Sequence, residues 1–163
     1  MPDSAHLIVS VERDDSVQLL LTDRDGSWPR PLVTDPAGDA WDARPSPDGE
    51  QVAFVWRPFD DLQRLDIKIL ELETGQVRTL IGTPKIRAWS PRWSPDGSLI
   101  AFLTEQPDFN EIWLIQPDRE NIRQLTHLGH DAGDLAWAPD GGRIACSVNR
   151  HGSFDLALVD AQS

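Results

Sequence analysis

The side chains best suited to binding a metal lie close together at residues 127–131. His127, His130 and Asp131 supply nitrogen and oxygen donors of the kind that hold divalent metals. The segment falls between two predicted strands, however, and no other ligand set accompanies it. Because loops carry polar residues by default, the sequence predicts no metal site here.

A second candidate is the acidic segment Phe59, Asp60 and Asp61, since calcium prefers several oxygen ligands. The segment lacks the alternating aspartates and the glycine of a calcium-binding loop. We therefore predict a solvated acidic loop. Three other aspartates each stand between a proline and a glycine, and their side-chain oxygens are predicted to cap turn amides.

The sequence offers no nucleophile in a catalytic setting. An α/β-hydrolase carries Gly-x-Ser-x-Gly on a strand-to-helix turn, and no such string occurs. Gly152 and Ser153 follow His151 but lack the flanking glycine, and they predict a hairpin turn. Neither glycine-rich phosphate-binding motif is present. We therefore predict no catalytic residue, no cofactor-binding residue, no metal ligand and no cofactor.

The elements that would position any site follow from an internal repeat. Pro-Asp-Gly occurs three times, with its glycines at Gly49, Gly97 and Gly141, 48 and 44 residues apart. At a fixed offset each is followed by Val-Ala-Phe, Ile-Ala-Phe or Ile-Ala-Cys. Proline presets φ and glycine adopts a conformation that other residues resist, so each motif predicts a hairpin turn before a buried strand. A period near 45 is typical of repeat architectures.

Short apolar segments between these turns predict four strands per repeat. The middle repeat supplies residues 88–93, 99–103, 111–115 and 122–126, and the preceding one supplies 51–56, 66–72 and 77–81 after its first strand. The start of the chain supplies 6–11, 17–22 and 31–33, and residues 134–159 repeat the first three strands. Loops are predicted at 34–40, 57–64, 104–110 and 127–133, with a turn at 117–121.

These segments give fourteen predicted strands in groups of three, four, four and three. Four short strands in a repeating unit are typical of a propeller blade. We predict an all-β fold, a partial β-propeller of about three and a half four-stranded antiparallel blades. One propeller segment would span 1–163, with an incomplete blade at 1–38, blades at 39–83 and 84–128, and an incomplete blade at 129–163.

The cysteine and the tryptophans are predicted to pack within these blades. Cys146 stands where other repeats place Phe54 and Phe102, which predicts a buried structural thiol. Three tryptophans, Trp28, Trp41 and Trp89, remain as candidates for stacking on a ligand, although packing is the predicted role. The other four lie in predicted strands or at a shared repeat position: Trp56, Trp93, Trp113 and Trp137.

Composition narrows the range of partners. The 163 residues include 15 Lys and Arg against 27 Asp and Glu, a net charge of −12. Such a chain repels phosphate backbones and anionic lipid, so we predict neither nucleic-acid nor membrane binding. The N-terminal residues show no basic and apolar leader, and no window is long enough to span a membrane. We therefore predict a cytoplasmic protein.

The pattern Trp-Ser-Pro-Asp-Gly-x-x-Ile-Ala-Phe at 93–102, followed by Arg-x-Leu-Thr at 123–126, resembles the repeat of TolB-type propellers. The same repeat builds the non-catalytic propeller of prolyl-oligopeptidase-family serine peptidases, including the acylaminoacyl-peptidase and dipeptidyl-peptidase types. The resemblance covers essentially the whole chain and weakens toward both ends. Departures are Pro45 in the tryptophan position, Ala138 in the serine position and Cys146 in the phenylalanine position.

The peptidase resemblance implies a function for the chain. TolB itself would imply an exported protein with a leader and an additional domain, and neither is visible in this sequence. Acylaminoacyl-type peptidases are mostly cytoplasmic and place the propeller ahead of the hydrolase domain that holds the catalytic triad. We therefore expect a substrate-gating N-terminal propeller, with Arg44, Arg92 and Asp134 facing or flanking a central channel. Its partners would be the missing C-terminal blades and hydrolase domain of a longer chain, and peptide substrates.

The alternative is a stand-alone protein-interaction module. Each repeat must stack on a neighbour to bury its core, so incomplete terminal blades would expose apolar faces that a second copy of the chain could cover. We favour a piece of a longer chain, because the sequence stops partway through a repeat. A separate enzyme acting on sugars or other small ligands ranks last, since no residue constellation supports it.

Overall fold

The structure is a computed structural model that describes residues 6–13, 15–33, 35, 37–84, 86–105, 108–118, 121–150 and 152–162. Parts of the predictions lie outside the described residues: the leaderless start at 1–5, loop positions Thr34, Pro36, Gln106 and Pro107, turn positions Arg119 and Glu120, and His151. All regular secondary structure in the described residues is β, in four antiparallel sheets. This confirms the predicted all-β partial propeller. No described helix is long and apolar enough to cross a membrane.

Each sheet is one blade and follows chain order. The first sheet contains β1 (His6–Arg13), β2 (Ser16–Asp23) and β3 (Arg30–Val33), and the second contains β4 (Gly38–Pro45), β5 (Gln51–Pro58), β6 (Asp66–Glu71) and β7 (Val77–Ile81). The third contains β8 (Ala88–Trp93), β9 (Ile100–Glu105), β10 (Asn110–Ile115) and β11 (Ile122–Gln124). The fourth contains β12 (Asp131–Trp137), β13 (Arg143–Arg150) and β14 (Ser153–Asp160).

The described strands reproduce the predicted grouping of three, four, four and three. All four predicted loops are shorter than expected, because β5 extends to Pro58, β9 extends to Glu105, β4 begins at Gly38 and β12 begins at Asp131. The starts of β4 and β12 carry no strand signal, since small and acidic residues occupy them. The chain divides into two compact units, the first at Met1–Arg87 and the second at Ala88–Ser163, each with two sheets.

In each unit, the core lies between its two sheets. In the first unit, Leu19 of β2 and Val33 of β3 pack with Val52, Phe54 and other residues of the second sheet. In the second unit, apolar residues of β9 and β10 pack with residues of β12 and β13: Ala101, Leu103, Ile112, Leu114, Ala132, Leu135, Ile144, Cys146 and Val148. Cys146 is fully buried, as predicted, and burial raises the pKa of its thiol.

The three Pro-Asp-Gly turns have the predicted geometry. Gly49, Gly97 and Gly141 adopt φ of 76°, 74° and 72°, the left-handed region that glycine enters without a Cβ clash. Each glycine N–H donates 2.9 Å to the carbonyl three residues earlier. The turn aspartates accept backbone N–H bonds at 2.9–3.1 Å, which confirms that they cap the turns.

A buried serine locks two of these turns. The Ser94 hydroxyl accepts a 2.9 Å bond from the N–H of Leu99 and donates a 2.6 Å bond to Asp96. Ser46 does the same with Gln51 and Asp48, at 2.9 and 2.6 Å. The third turn has Ala138 at this position and lacks the lock. The serine therefore satisfies an amide that begins the second strand of its blade.

We expect Ser94→Ala to lower the free energy of unfolding by about 1–2 kcal/mol, because it leaves the N–H of Leu99 without its acceptor. Urea denaturation followed by tryptophan fluorescence measures the change. Ala138→Ser is the matched control, since it restores the repeat's hydroxyl, and we expect it to leave stability unchanged or slightly raised. Equal losses from both variants would contradict the role assigned to the serine.

The effect of Ser94→Ala should depend on pH. The Ser94 hydroxyl, followed by the N–H of Ser98, lowers the pKa of Asp96 below its ordinary value. A carboxylate with a lowered folded-state pKa contributes stability above its unfolded pKa and loses that contribution as pH falls through the folded value. The stability difference between Ser94→Ala and the unmodified chain should therefore shrink below about pH 4. A difference that grows on acidification would contradict this assignment.

Candidate functional site

The first strands of three blades share a bulge. β4, β8 and β12 each shift register against the next strand, between Trp41 and Arg44, Trp89 and Arg92, and Gly133 and Ala136. Inside each shift a non-glycine residue has positive φ: Asp42 at 49°, Ser90 at 55° and Asp134 at 44°. Such conformations cost of order 1–3 kcal/mol and are held only where the surrounding structure imposes them. A bulge also redirects the side chains around it.

Charged side chains occupy these bulged strands. Arg44, exposed, places Nη2 2.7 Å from Asp42 Oδ1. Arg92, half-buried, donates 2.8 Å to the carbonyl of Pro91, and exposed Asp134 accepts a 3.2 Å bond from Ser147 Oγ. The three residues expected at a channel thus lie on equivalent bulged strands, Arg44 in the first unit and the others in the second. That they line one channel stays a prediction.

An aspartate at the start of the first strand ties each sheet to the one before it within its unit. Asp39 Oδ1 accepts a 2.8 Å bond from the N–H of Val17 in β2. Asp131 Oδ1 accepts a 3.0 Å bond from the N–H of Asn110 in β10. Sequence reasoning missed both bonds. The available signal was that each aspartate immediately precedes an alanine, Ala40 or Ala132, at the same repeat position as Ala88.

Asp39 also anchors a cation beside a tryptophan. Its buried Oδ2 lies 2.5 Å from Arg57 Nη2, and the Arg57 guanidinium carbon lies 5.6 Å from the centre of the Trp41 ring. A guanidinium over an indole face is a favourable cation–π arrangement. Trp41, one of the three ligand-stacking candidates, is therefore engaged within the fold.

The histidine segment does not converge on one point. His127 Nδ1 lies 3.1 Å from Gln124 Nε2, the His130 ring packs 6.1 Å from the Phe109 ring, and Asp131 binds Asn110. The described residues contain no group of three or more His, Cys, Asp or Glu side chains placed to hold a metal ion. The nearby buried carboxylate of Glu111 instead accepts bonds from Thr126 Oγ1 and the N–H of Leu128, at 2.5 and 2.9 Å, which anchors this connection.

The other sequence candidates occupy turns and loops. Phe59 is exposed, and Asp61 accepts a 3.2 Å bond from the N–H of Gln63. Asp60 lines an open cleft of about 550 Å³ together with Arg64, which bridges to buried Asp66 at 2.7 Å. Asp66 raises the pKa of Arg64 by hydrogen bonding. Gly152, at φ 87°, lies in the β13–β14 hairpin, as predicted.

The remaining two tryptophan candidates differ in exposure. Trp89 is half-buried and packs against the core of the second unit. Trp28 is 83% exposed in the β2–β3 hairpin and has φ of 49°. Trp28 alone among these three presents most of its ring to solvent.

The outer face of β14 is a large exposed apolar surface. Phe154, Leu156 and Leu158 are 74, 88 and 67% exposed. The strand pairing places Leu156 at the repeat position of Ile67 and Ile112, and Leu158 at that of Ile69 and Leu114. Those four counterparts are buried. The face thus has the chemistry of a sheet-to-sheet contact.

The chain resembles known proteins both in its sequence family and in its fold. The family described as TolB beta propeller domain (PD40) matches residues 18–163. Comparison with curated proteins gives no match. A structure assigned as TolB from Agrobacterium tumefaciens superposes with a TM-score of 0.84 at 21% identity, covering 98% of this chain and 59% of that one. A puromycin-hydrolysing peptidase from Mycobacterium tuberculosis gives 0.77 at 18% identity, covering 99% and 29%.

TolB from Acinetobacter baumannii gives a TM-score of 0.76 at 21% identity, covering 89% of this chain and 35% of that one. At such identities these likenesses show the shared fold. The chain spans between 29% and 59% of the length of these structures.

We expect Asp39→Ala to destabilise the first unit by about 2 kcal/mol, because it removes the acceptor of the Val17 N–H and the carboxylate that pairs with Arg57. Asp131→Ala is the matched control; its carboxylate is exposed, and we expect a loss of under about 1 kcal/mol. Amide hydrogen exchange at Val17 and Asn110 measures each bond. Unchanged protection at Val17 in Asp39→Ala would show that the carboxylate does not tie the two sheets.

Proposed function

Because the chain belongs to the TolB β-propeller domain family, we propose that it is the non-catalytic, substrate-gating propeller of a larger, cytoplasmic serine peptidase of the prolyl-oligopeptidase type. The observation that carries the proposal is that essentially the whole chain superposes on under a third of a puromycin-hydrolysing peptidase. A second peptidase structure, described as a prolyl endopeptidase, is covered in the same proportion, at 28%. In such a parent the remaining length would supply further blades and the hydrolase domain.

The exposed face of β14 supports a connection to further blades. Leu156 and Leu158 stand at the repeat positions of Ile112 and Leu114, which are buried against the following sheet of the second unit. Burying a leucine side chain contributes about 1.5–3 kcal/mol, so leaving two of them in water forgoes a substantial part of a small domain's stability. A following blade would restore that contribution.

The bulged first strands supply the means of gating. Asp42, Arg44 and Asp134 combine both signs of charge on strands whose positive-φ residues recur at one repeat position. A passage lined by both signs can engage the amino and carboxyl termini of short peptides, whereas a folded protein is too wide to enter a propeller channel. The propeller would select substrates by size, and the nucleophile would come from the hydrolase domain.

Sequencing the complete reading frame around this chain tests the proposal, together with labelling of its product by a fluorophosphonate probe for serine hydrolases. We expect further Pro-Asp-Gly repeats, a Gly-x-Ser-x-Gly motif, labelling, and cleavage of short peptides in preference to folded proteins. A frame without that motif, or a product that does not label, would rule out a peptidase parent.

A stand-alone interaction module is the second candidate, and one observation favours it. Pairing of β1 places Leu7 and Val9 at the repeat positions of Val52 and Phe54, which form the receiving side of the contact in the first unit. Leu7 is exposed, as is the donating face on β14. A second copy could therefore dock head to tail, with β14 of one copy against β1 of the other.

Under this second candidate, sedimentation velocity of the 163-residue chain should show a dimer or a closed ring that Leu158→Asp dissociates, because a carboxylate would be buried in the apolar contact. Leu62→Asp is the matched control, as Leu62 is an exposed leucine remote from β14 in sequence. A well-folded monomer at all concentrations would exclude self-association. Dissociation by both variants would show that the effect is not specific to β14.

A further inference from the structure

A cleft of about 460 Å³ lies in the first unit beside a repeat position that differs between the two units. Its apolar floor includes Ile8, Leu21 and Leu32, and Pro45 forms one side. Pro45 stands where the second unit carries Trp137, two residues before the proline of the Pro-Asp-Gly turn. A pyrrolidine ring is much smaller than an indole, so the exchange leaves space beside the floor.

In the second unit an indole covers the corresponding floor. Trp137 packs against the core of that unit, and its Nε1 donates a 2.9 Å bond to the carbonyl of Arg92. The counterparts of Ile8, Leu21 and Leu32 there are buried: Ala101, Leu114 and Leu125. None of these three lines the cleft of about 490 Å³ beside Trp137, which is formed mainly by turn residues. Ile8 and Leu32, by contrast, are only half-buried.

An arginine position shows the same difference between the units. Arg123, paired with Leu114, donates to the carbonyl of Ala161 on the neighbouring sheet. Arg30, paired in the same way with Leu21, is exposed and lines the cleft, and its guanidinium makes no hydrogen bond or ion pair with any residue that the structure describes. The cleft thus combines an apolar floor beside a proline with an exposed guanidinium that no described side chain holds.

We propose that this cleft binds an aromatic monocarboxylate, with the ring on the apolar floor and the carboxylate paired to Arg30. Its volume lies within the roughly 300–1,000 Å³ of ligand pockets, and arginine forms bidentate bonds with carboxylates. Glu73 at the rim disfavours a second negative charge on the ligand. The carboxylate could belong to a free acid or to the C-terminal aromatic residue of a peptide. This inference does not depend on a peptidase parent.

NMR titration of the 163-residue chain with indole-3-propionate tests the site, with its neutral amide as the matched ligand. We expect saturable shifts at Ile8 and Leu32, intermolecular contacts from the indole ring to these side chains, and about fivefold weaker binding of the amide at pH 7. Arg30→Gln should weaken binding of the acid to that of the amide. Arg78→Gln, the same repeat position in the second sheet and not in the cleft, should change neither.

Pro45→Trp should abolish binding of both ligands, because it restores the repeat's own indole. If that variant does not fold, comparing the affinities of the acid and its amide, in the unmodified chain and in Arg30→Gln, still tests the proposal. Equal affinity for acid and amide, unchanged binding in Pro45→Trp, or no saturation would overturn the proposal. A complete gene product that fails to bind while this chain binds would also overturn it, since its own residues then fill the cleft. Tighter binding of Gly-Gly-Trp than of the free acid would support the proposal with a peptide terminus as ligand.

Discussion

Within each unit, the structure depends on burying a face of one sheet against the other. A small isolated sheet is at best marginally stable in water, because its apolar side chains stay solvated on both faces. Here β2 and β10 supply residues such as Leu19 and Ile112, and the other sheet of the same unit supplies Phe54 or Cys146 to cover them. At about 25 cal/mol per Å² of apolar surface, this contact is the main source of stability within each unit. The exposed leucines of β14 occupy equivalent positions, but no described sheet packs against them.

Polar contacts set how neighbouring sheets meet. Asp39 and Asp131 each use one carboxylate oxygen to hold a backbone N–H of the preceding sheet, and Trp137 and Arg123 reach backbone carbonyls across the same kind of boundary. Apolar packing alone tolerates sliding, whereas a hydrogen bond to a fixed backbone group specifies one alignment. At Pro45 and Arg30, where this set is incomplete, apolar residues of the boundary line a cleft. Departures from the repeat sequence at Pro45 thus coincide with a difference between the two units in which residues line a cleft and whether the arginine is paired.

The positions that vary between blades, on the bulged first strands and at blade boundaries, are those that can give this fold a specific function. The positive-φ residues of the first strands recur at one place in three blades, which indicates a requirement of the bulge itself rather than of any single side chain. Side chains around the bulge vary, from Arg44 to Arg92 to Ala136. Membership of the TolB propeller family fixes the scaffold, and a scaffold of this kind carries many activities. The chemistry of the parent protein therefore has to come from its other parts or from what these variable positions bind.

The sequence by itself determined the repeat, the strand grouping, the turns with their capping aspartates and the burial of Cys146, because each rests on local spacing and on alternation along one strand. It did not determine where β4 and β12 begin, the partners of Asp39 and Asp131, the contact between Trp41 and Arg57, or the cleft beside Pro45. Pro45 was visible as a departure from the repeat, but its consequence was not. Each of these features depends on groups from different strands or sheets meeting in space, and spacing along one strand does not encode such distances. Only the tertiary structure brings those groups together.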